Sequence, residues 1–235
     1  MKHQEDLHAF IGTIQNSELN NQLEGVLLYG KHLRIKNYDS PNFNLLFVFK
    51  KLDVNNLDAL SALFEKETNI EIDPFILTLD ELQKSADVYP IKFMDISENH
   101  KVLLGADPFD QVVVHKDNLR LRAEQELRNL ALRLRFIYVK GEGDLRAVRF
   151  ETKKSIYPLM NNLEVLIMLK KDKIINEYDQ LLSLASSELK IDTTILSSFL
   201  KWNESEMEIS DTEFKTAFQS YQKVLDQLIQ IVDSH

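Results

Sequence analysis

The chain contains no cysteine among its 235 residues. This absence excludes disulfide bonds, thiol catalysis and any zinc site that uses cysteine ligands. Glycine and proline are also scarce, with 6 and 5 residues, which indicates a helix-rich chain with short connections. No apolar run approaches the ~18–20 residues of a membrane-spanning helix, so no membrane partner is expected.

An excess of positive charge is missing as well, because the formal net charge is −9. Proteins that bind nucleic acids through phosphate contacts are usually basic, so nucleic acid is not expected as a partner. The first residues, MKHQEDLHAF, lack the positive start and the apolar stretch of a signal peptide. Together with the absence of cysteine, this predicts a cytoplasmic protein.

Helical and strand patterns alternate along the first part of the chain. Residues 4–17 carry apolar side chains at helical spacing, and a second helix is predicted at residues 55–67. Strands are predicted at residues 26–29, 43–49, 70–77 and 91–96 from their apolar or alternating composition. Thr78 and Glu81 form the sequence signature of a capping box, which predicts a further helix after Thr78. Residues 1–116 are therefore predicted to form a domain of the α/β (α+β) class with a small mixed sheet.

The second part of the chain is almost wholly helical in pattern. A long amphipathic helix is predicted from Asn118 to Lys140, where the glycine-containing sequence GEGD ends it. The last helix carries a stripe of apolar residues at Phe214, Phe218, Tyr221, Leu225, Leu228 and Val232. Residues 117–235 are therefore predicted to form a helical bundle.

Five arginines lie on the predicted helix 118–140, at Arg120, Arg122, Arg128, Arg133 and Arg135. If unpaired, they would form a surface for phosphate or RNA. Glutamates stand four residues away from three of them, at the spacing of intrahelical ion pairs. We therefore interpret this surface as a solvated helix face whose charges pair internally.

The stretch YGKHLRIKNYDSPNFNLLFVF, residues 29–49, joins two predicted strands through a polar loop. The second strand begins Asn42-Phe43-Asn44, and its two amides share one face because strand side chains alternate. This arrangement resembles the nucleotidyltransferase superfamily of polymerase beta and kanamycin nucleotidyltransferase, in which hydrophobic-Gly-Ser precedes a strand that starts with Asp-x-Asp. The segment from Gly105-Ala106-Asp107-Pro108-Phe109 into the arginine-rich helix is similar to bacterial members, and the resemblance covers roughly residues 20–140.

The resemblance implies a fold whose enzymes use two Mg²⁺ ions, held by two strand carboxylates and a third from a neighbouring strand. In this chain the two leading positions are Asn42 and Asn44, which carry no charge. Each lost unit charge removes on the order of 8 kcal/mol of attraction at ~4 Å from a divalent ion, for an effective dielectric of ~20. The third carboxylate would be Asp73 or Glu71, one of which would face the site, and one carboxylate cannot hold two ions. A degenerate site without a metal or another cofactor is therefore expected.

The same resemblance places Gly30-Lys31 where the family has Gly-Ser, so Gly30, Lys31 and Ser40 are the expected nucleotide-binding residues. The leading hypothesis is a catalytically inactive protein that acts by binding a nucleotide or a protein partner. The first alternative is an active Mg²⁺-dependent enzyme that moves a nucleoside monophosphate to a small molecule or a protein. The second alternative is a scaffold without a ligand site, whose helical bundle forms a homodimer.

Overall fold

The computed structural model describes residues 2–36, 38–67, 69–204 and 209–234. The chain divides into two units, Met1–His115 and Lys116–His235. Buried apolar side chains are present in both units, so each has a hydrophobic core of its own.

The first unit contains a mixed sheet of four strands, β1 (Leu23–Tyr29), β2 (Asn42–Phe49), β3 (Glu71–Thr78) and β4 (His100–Gly105). The strand order is β3-β2-β1-β4. β2 and β3 run parallel, whereas β1 is antiparallel to both β2 and β4. The predicted mixed sheet and its first three strands are thus confirmed.

Five helices accompany the sheet in the described part of this unit: α1 (Lys2–Gln15), α2 (Lys31–Arg34), α3 (Val54–Lys66), α4 (Leu79–Lys84) and α5 (Pro90–Glu98). Two 3-10 turns, Glu18–Asn21 and Pro108–Gln111, complete it. The predicted capping box is present at the start of α4. The Thr78 hydroxyl oxygen accepts a hydrogen bond from the Glu81 N–H at 3.1 Å, and the Glu81 carboxylate accepts one from the Thr78 N–H at 2.8 Å.

β2 forms the centre of the first unit because both of its faces are buried. Alternate residues from Phe43 to Phe49 join an apolar cluster that includes the inner side of α1. The intervening Leu46 and Val48 join a second cluster, to which α5 contributes Phe93. A strand that is buried on both faces has no polar alternation, which explains the continuous apolar run in this part of the sequence.

The strand predicted at residues 91–96 is wrong, because this segment is the helix α5. Pro90 occupies the first turn of α5, where its fixed φ and missing N–H are compatible with a helix. Five of the six residues from Ile91 to Ile96 are buried. A short apolar run of this kind does not show by periodicity whether it is a buried strand or a buried helix. The strand follows instead at His100–Gly105, where it pairs with β1.

The second unit is helical, as predicted. The helices in its described residues are α6 (Lys116–Lys140), α7 (Arg146–Lys171), α8 (Tyr178–Leu189), α9 (Thr194–Glu204) and α10 (Asp211–Asp233). All six residues of the apolar stripe predicted for the last helix are buried in α10. α7 and α10 are joined by a buried hydrogen bond between the Ser155 and Tyr221 hydroxyls at 2.9 Å. Among the residues that the structure describes, no helix is both long and apolar enough to cross a membrane.

Truncation of a buried side chain in α7 tests the packing of the second unit. Leu163 is fully buried, whereas Leu132 on α6 is 63% exposed. Leu163→Ala should lower the free energy of unfolding of this unit by about 2–5 kcal/mol, because it leaves a cavity. Leu132→Ala should change it by less than about 0.5 kcal/mol.

Trp202 is the only tryptophan of the chain and lies in α9, so its fluorescence during urea denaturation reports the unfolding of the second unit. Equal stabilities of the two variants would contradict the packing of α7 described above.

Candidate functional site

Four polar side chains lie together where β2 and β3 begin. The parallel register pairs Asn42 with Glu71 and Asn44 with Asp73. Paired residues of neighbouring strands project to the same side of a sheet, so the two amides and the two carboxylates share one face. Both Glu71 and Asp73 therefore lie on this face, where the sequence led us to expect only one of them. Tyr29 of β1 pairs with Asn44 and lies on the same face. We call these five side chains the polar row.

This row borders the apolar cluster beneath α5. The next pair along the two strands is Leu46 with Phe75, which belongs to that cluster. Asn42 and Asp73 are exposed, Asn44 is half-buried and Tyr29 is buried. The face thus changes from solvent-exposed polar side chains to buried apolar ones within a few residues.

Lys92, in the first turn of α5, places its ammonium on this face. The Lys92 Nζ atom lies 3.6 Å from the Phe75 ring centroid and 5.6 Å from the Tyr29 ring centroid. These contacts are in the range of cation–π attraction. Because Tyr29 belongs to β1 and Phe75 to β3, the ammonium lies over the strand between them, β2, in the region of Asn44 and Leu46, which pair with Tyr29 and Phe75.

Burial shifts the pKa values of Lys92 and Tyr29. Desolvation lowers the pKa of Lys92, and the nearby charges of Asp73 and Asp95 oppose this shift. Desolvation, together with the same two carboxylates, raises the pKa of Tyr29 above its ordinary value. Tyr29 therefore remains a neutral hydroxyl near pH 7 and does not supply a phenolate base.

A buried ion pair between Arg34 and Asp95 connects α2 to α5. The side chain of Arg34 has 0% exposure and that of Asp95 has 8%. Asp95 stands three residues after Lys92, on the same side of α5. The ion pair therefore fixes the helix that carries Lys92 to the segment that follows Gly30.

Gly30 ends β1 in a conformation that requires glycine. Its φ is +81°, and a Cβ atom at this position would lie 2.7 Å from the Asn44 Nδ2 atom. Positive φ strains residues that carry a Cβ. Gly30 and Asn44 are therefore neighbours, with the backbone of one against the amide of the other.

The loop before β2 is held by the backbone of Asn42. The Ser40 hydroxyl accepts a hydrogen bond from the Asn42 N–H at 3.2 Å, and His32 donates from Nε2 to the Asn42 carbonyl at 3.0 Å. The His32 ring also stacks on Phe43, with 4.1 Å between the ring centroids. Lys31, half-buried, opens α2 directly after Gly30. Ser40 and Lys31 thus lie at the two ends of the loop that leads to the polar row.

The side chains on this face differ from the donor set that two Mg²⁺ ions require. Magnesium prefers anionic oxygen ligands. In the polar row only Glu71 and Asp73 on β3 supply them, whereas the β2 positions supply two amides and α5 adds the ammonium of Lys92. In the described parts of the chain, no group of three or more acidic or histidine side chains is arranged to bind a metal ion. The residues present therefore do not fit a two-metal site.

The arginines of α6 pair with carboxylates of the second unit. The pairs are Arg120–Glu124, Arg122–Glu126, Arg128–Asp233, Arg133–Glu151 and Arg135–Asp226. Their positive charges are thus balanced locally, which favours the interpretation of this surface as a solvated, paired helix face.

Four residues around the site were not identified from the sequence: Tyr29, Arg34, Lys92 and Asp95. The error at residues 91–96 explains two of them. In a strand Lys92 and Asp95 would project to opposite faces, whereas in a helix they are neighbours one turn apart. Pro90 followed by a mixture of apolar and charged residues was the signal for a helix start.

Taken together, the sheet, the glycine that ends β1, the polar start of β2 and the following helical unit define the nucleotidyltransferase fold. Spectinomycin adenyltransferase AAD(9) from Enterococcus faecialis, solved with ATP and spectinomycin, is similar to this chain with a TM-score of 0.62. The similarity covers 96% of this chain and 98% of that chain at 13% sequence identity. The predicted resemblance to nucleotidyltransferases is therefore confirmed for the fold. No protein-family model and no curated protein matches the sequence.

Replacement of Gly30 tests its contact with Asn44. Gly30→Ala should lower the free energy of unfolding of the first unit by about 1–3 kcal/mol, through positive φ and overlap with Asn44. Gly12 in α1 is a matched control, because a Cβ there meets nothing within 4 Å. Gly12→Ala should raise the free energy of unfolding by about 0.5–1 kcal/mol through helix propensity. Amide hydrogen exchange of β1 and β2 measures both effects, and equal protection in the two variants would contradict the description of Gly30.

Removal of one partner of the Arg34–Asp95 pair should destabilise the first unit strongly. Arg34→Met leaves a buried carboxylate, and Asp95→Asn leaves a buried guanidinium, so each should cost about 3–5 kcal/mol. The double variant Arg34→Met, Asp95→Leu removes both charges and should recover much of this loss. Denaturation followed by far-UV circular dichroism gives the comparison. Single variants as stable as the parent would show that the pair does not hold α2 against α5.

Proposed function

We propose that the first unit binds a nucleoside triphosphate and does not transfer its nucleotidyl group. The observation that carries this proposal is the face at the start of β2, where two amides and the Lys92 ammonium lie together. The nucleotidyltransferase fold supports a nucleotide as the ligand, and AAD(9), which shares it, was crystallised with ATP.

We expect no nucleotidyl transfer because the two leading positions of β2 carry no negative charge. An amide oxygen is a neutral ligand, and two neutral ligands in place of two carboxylates weaken the attraction for divalent ions by several kcal/mol each. Without bound metal the triphosphate is not activated and the attacking hydroxyl is not oriented. Nucleotide binding by Gly30, Lys31 and Ser40 needs no metal, since Lys31 supplies a positive charge for a phosphate.

A second candidate is an active enzyme that transfers a nucleoside monophosphate to a small molecule or protein. The observation in its favour is that Glu71 and Asp73 both share the face of Asn42 and Asn44. Two carboxylates with an amide oxygen are a possible ligand set for one Mg²⁺ ion. This candidate requires nucleotide binding that depends on Mg²⁺, and it requires turnover.

Calorimetric titration of the full chain with ATP and with GTP separates these candidates. We expect binding in EDTA with a dissociation constant within about threefold of that in Mg²⁺, a difference below 1 kcal/mol. Incubation with α-labelled ATP and Mg²⁺ should give no labelled product beyond the spontaneous rate. Binding that appears only with Mg²⁺, together with labelled product, would establish the active enzyme instead.

The scaffold alternative remains a prediction with one supporting observation. α6 exposes three large apolar side chains within two turns, Leu132, Phe136 and Val139, which are 63%, 65% and 76% exposed. If the same titrations gave no nucleotide binding and light scattering gave the mass of a dimer, the scaffold would replace the proposal above.

A further inference from the structure

We propose that the ammonium of Lys92 takes the place of the metal ions and is the direct positive partner of the nucleotide phosphates. This inference rests on the proposed nucleotide binding and assigns it a specific side chain. Because the ammonium supplies the positive charge, binding would not need Mg²⁺.

The contacts of Lys92 place its ammonium over the sheet. Lys92 Nζ lies between the rings of Tyr29 on β1 and Phe75 on β3, at 5.6 Å and 3.6 Å from their centroids. The strand order places β2 between these two strands. The ammonium therefore lies over β2, on the face that carries Asn42 and Asn44.

A lysine at this position is unfavourable for the stability of the folded chain. Lys92 is half-buried, and its pKa is lowered by desolvation. Among the described residues, no carboxylate forms an ion pair with its ammonium, whereas Lys84, Lys116 and Lys171 on the surface each pair with one. A partly buried charge without a paired counter-charge is unfavourable for folding, and such groups are enriched at functional sites.

The ammonium of Lys92 can also donate hydrogen bonds to a ligand. An ammonium has three N–H donors, and contacts with aromatic faces hold it in position without using a hydrogen-bond acceptor. An anionic oxygen is the partner that would satisfy these donors most strongly. The exposed carboxylates Glu71 and Asp73 lie on the β3 side, whereas Gly30 and Lys31 follow β1. A phosphate is therefore expected on the β1 side of the Lys92 ammonium, between it and Lys31.

The test compares ATP binding in EDTA for the full-length parent and two variants. Lys92→Met keeps an unbranched side chain and removes the charge, and it should weaken ATP binding at least about tenfold, as expected for a lost charged hydrogen bond. Lys51→Met is the matched control, because Lys51 is exposed and follows the opposite end of β2. The control should bind ATP within about twofold of the parent. A Lys92→Met variant that binds as tightly as the parent would overturn the inference.

A second measurement needs no variant and therefore holds even if Lys92→Met does not fold. The parent in EDTA should bind ATP, ADP, AMP and adenosine with falling affinity, by a factor of at least about ten from ATP to adenosine. Equal affinity for ATP and adenosine would overturn the inference while leaving nucleoside binding intact. Binding that requires Mg²⁺ would overturn it as well. If none of the four compounds bound, the proposed function itself would be wrong.

A third measurement tests metal binding directly. Mn²⁺ binding by electron paramagnetic resonance should be at least about tenfold tighter in Asn42→Asp, Asn44→Asp, Lys92→Met than in Asn42→Asp, Asn44→Asp. The reason is that the ammonium repels a divalent ion at the same position. Equal Mn²⁺ affinity in the two variants would show that Lys92 does not occupy the place of the metal.

Discussion

The buried ion pair between Arg34 and Asp95 is the constraint on which the site depends. Inside the first unit each charge is offset by the other, so the ion pair holds the two helices that carry them together. Arg34 ends the short helix that follows Gly30, and Asp95 lies one turn beyond Lys92. The position of the glycine turn and the position of the ammonium are therefore set by the same interaction.

Burial also decides which charges a ligand at this face would experience. The carboxylates of Glu71 and Asp73 are exposed and are screened by water and salt. The ammonium of Lys92 is half-buried against two aromatic rings, where screening is weaker. The charge of Lys92 is therefore screened less than the charges of Glu71 and Asp73, in a protein that carries a net charge of −9.

The sequence predicted the architecture better than it predicted the site. Short apolar runs and alternation located β1, β2 and β3, and helical spacing located the first and last helices of the second unit. The segment 91–96 failed because α5 is buried on several sides and so loses its periodicity. Lys92 and Asp95 were missed for the same reason, since they are neighbours only when the segment is helical. The parallel register that brings Glu71 and Asp73 to the Asn pair is a long-range feature that local patterns do not contain.

The parallel pairing of β2 with β3 also has a kinetic consequence. The polar row exists only after the chain has crossed through α3 and returned to place residues 71–73 beside residues 42–44. Contacts of this kind form slowly, because the entropy of closing the intervening segment must be overcome before pairing stabilises it. Binding at this face therefore requires a completed sheet, and any ligand held there would stabilise the folded first unit by mass action. Ligand binding and folding of this unit are thus thermodynamically linked.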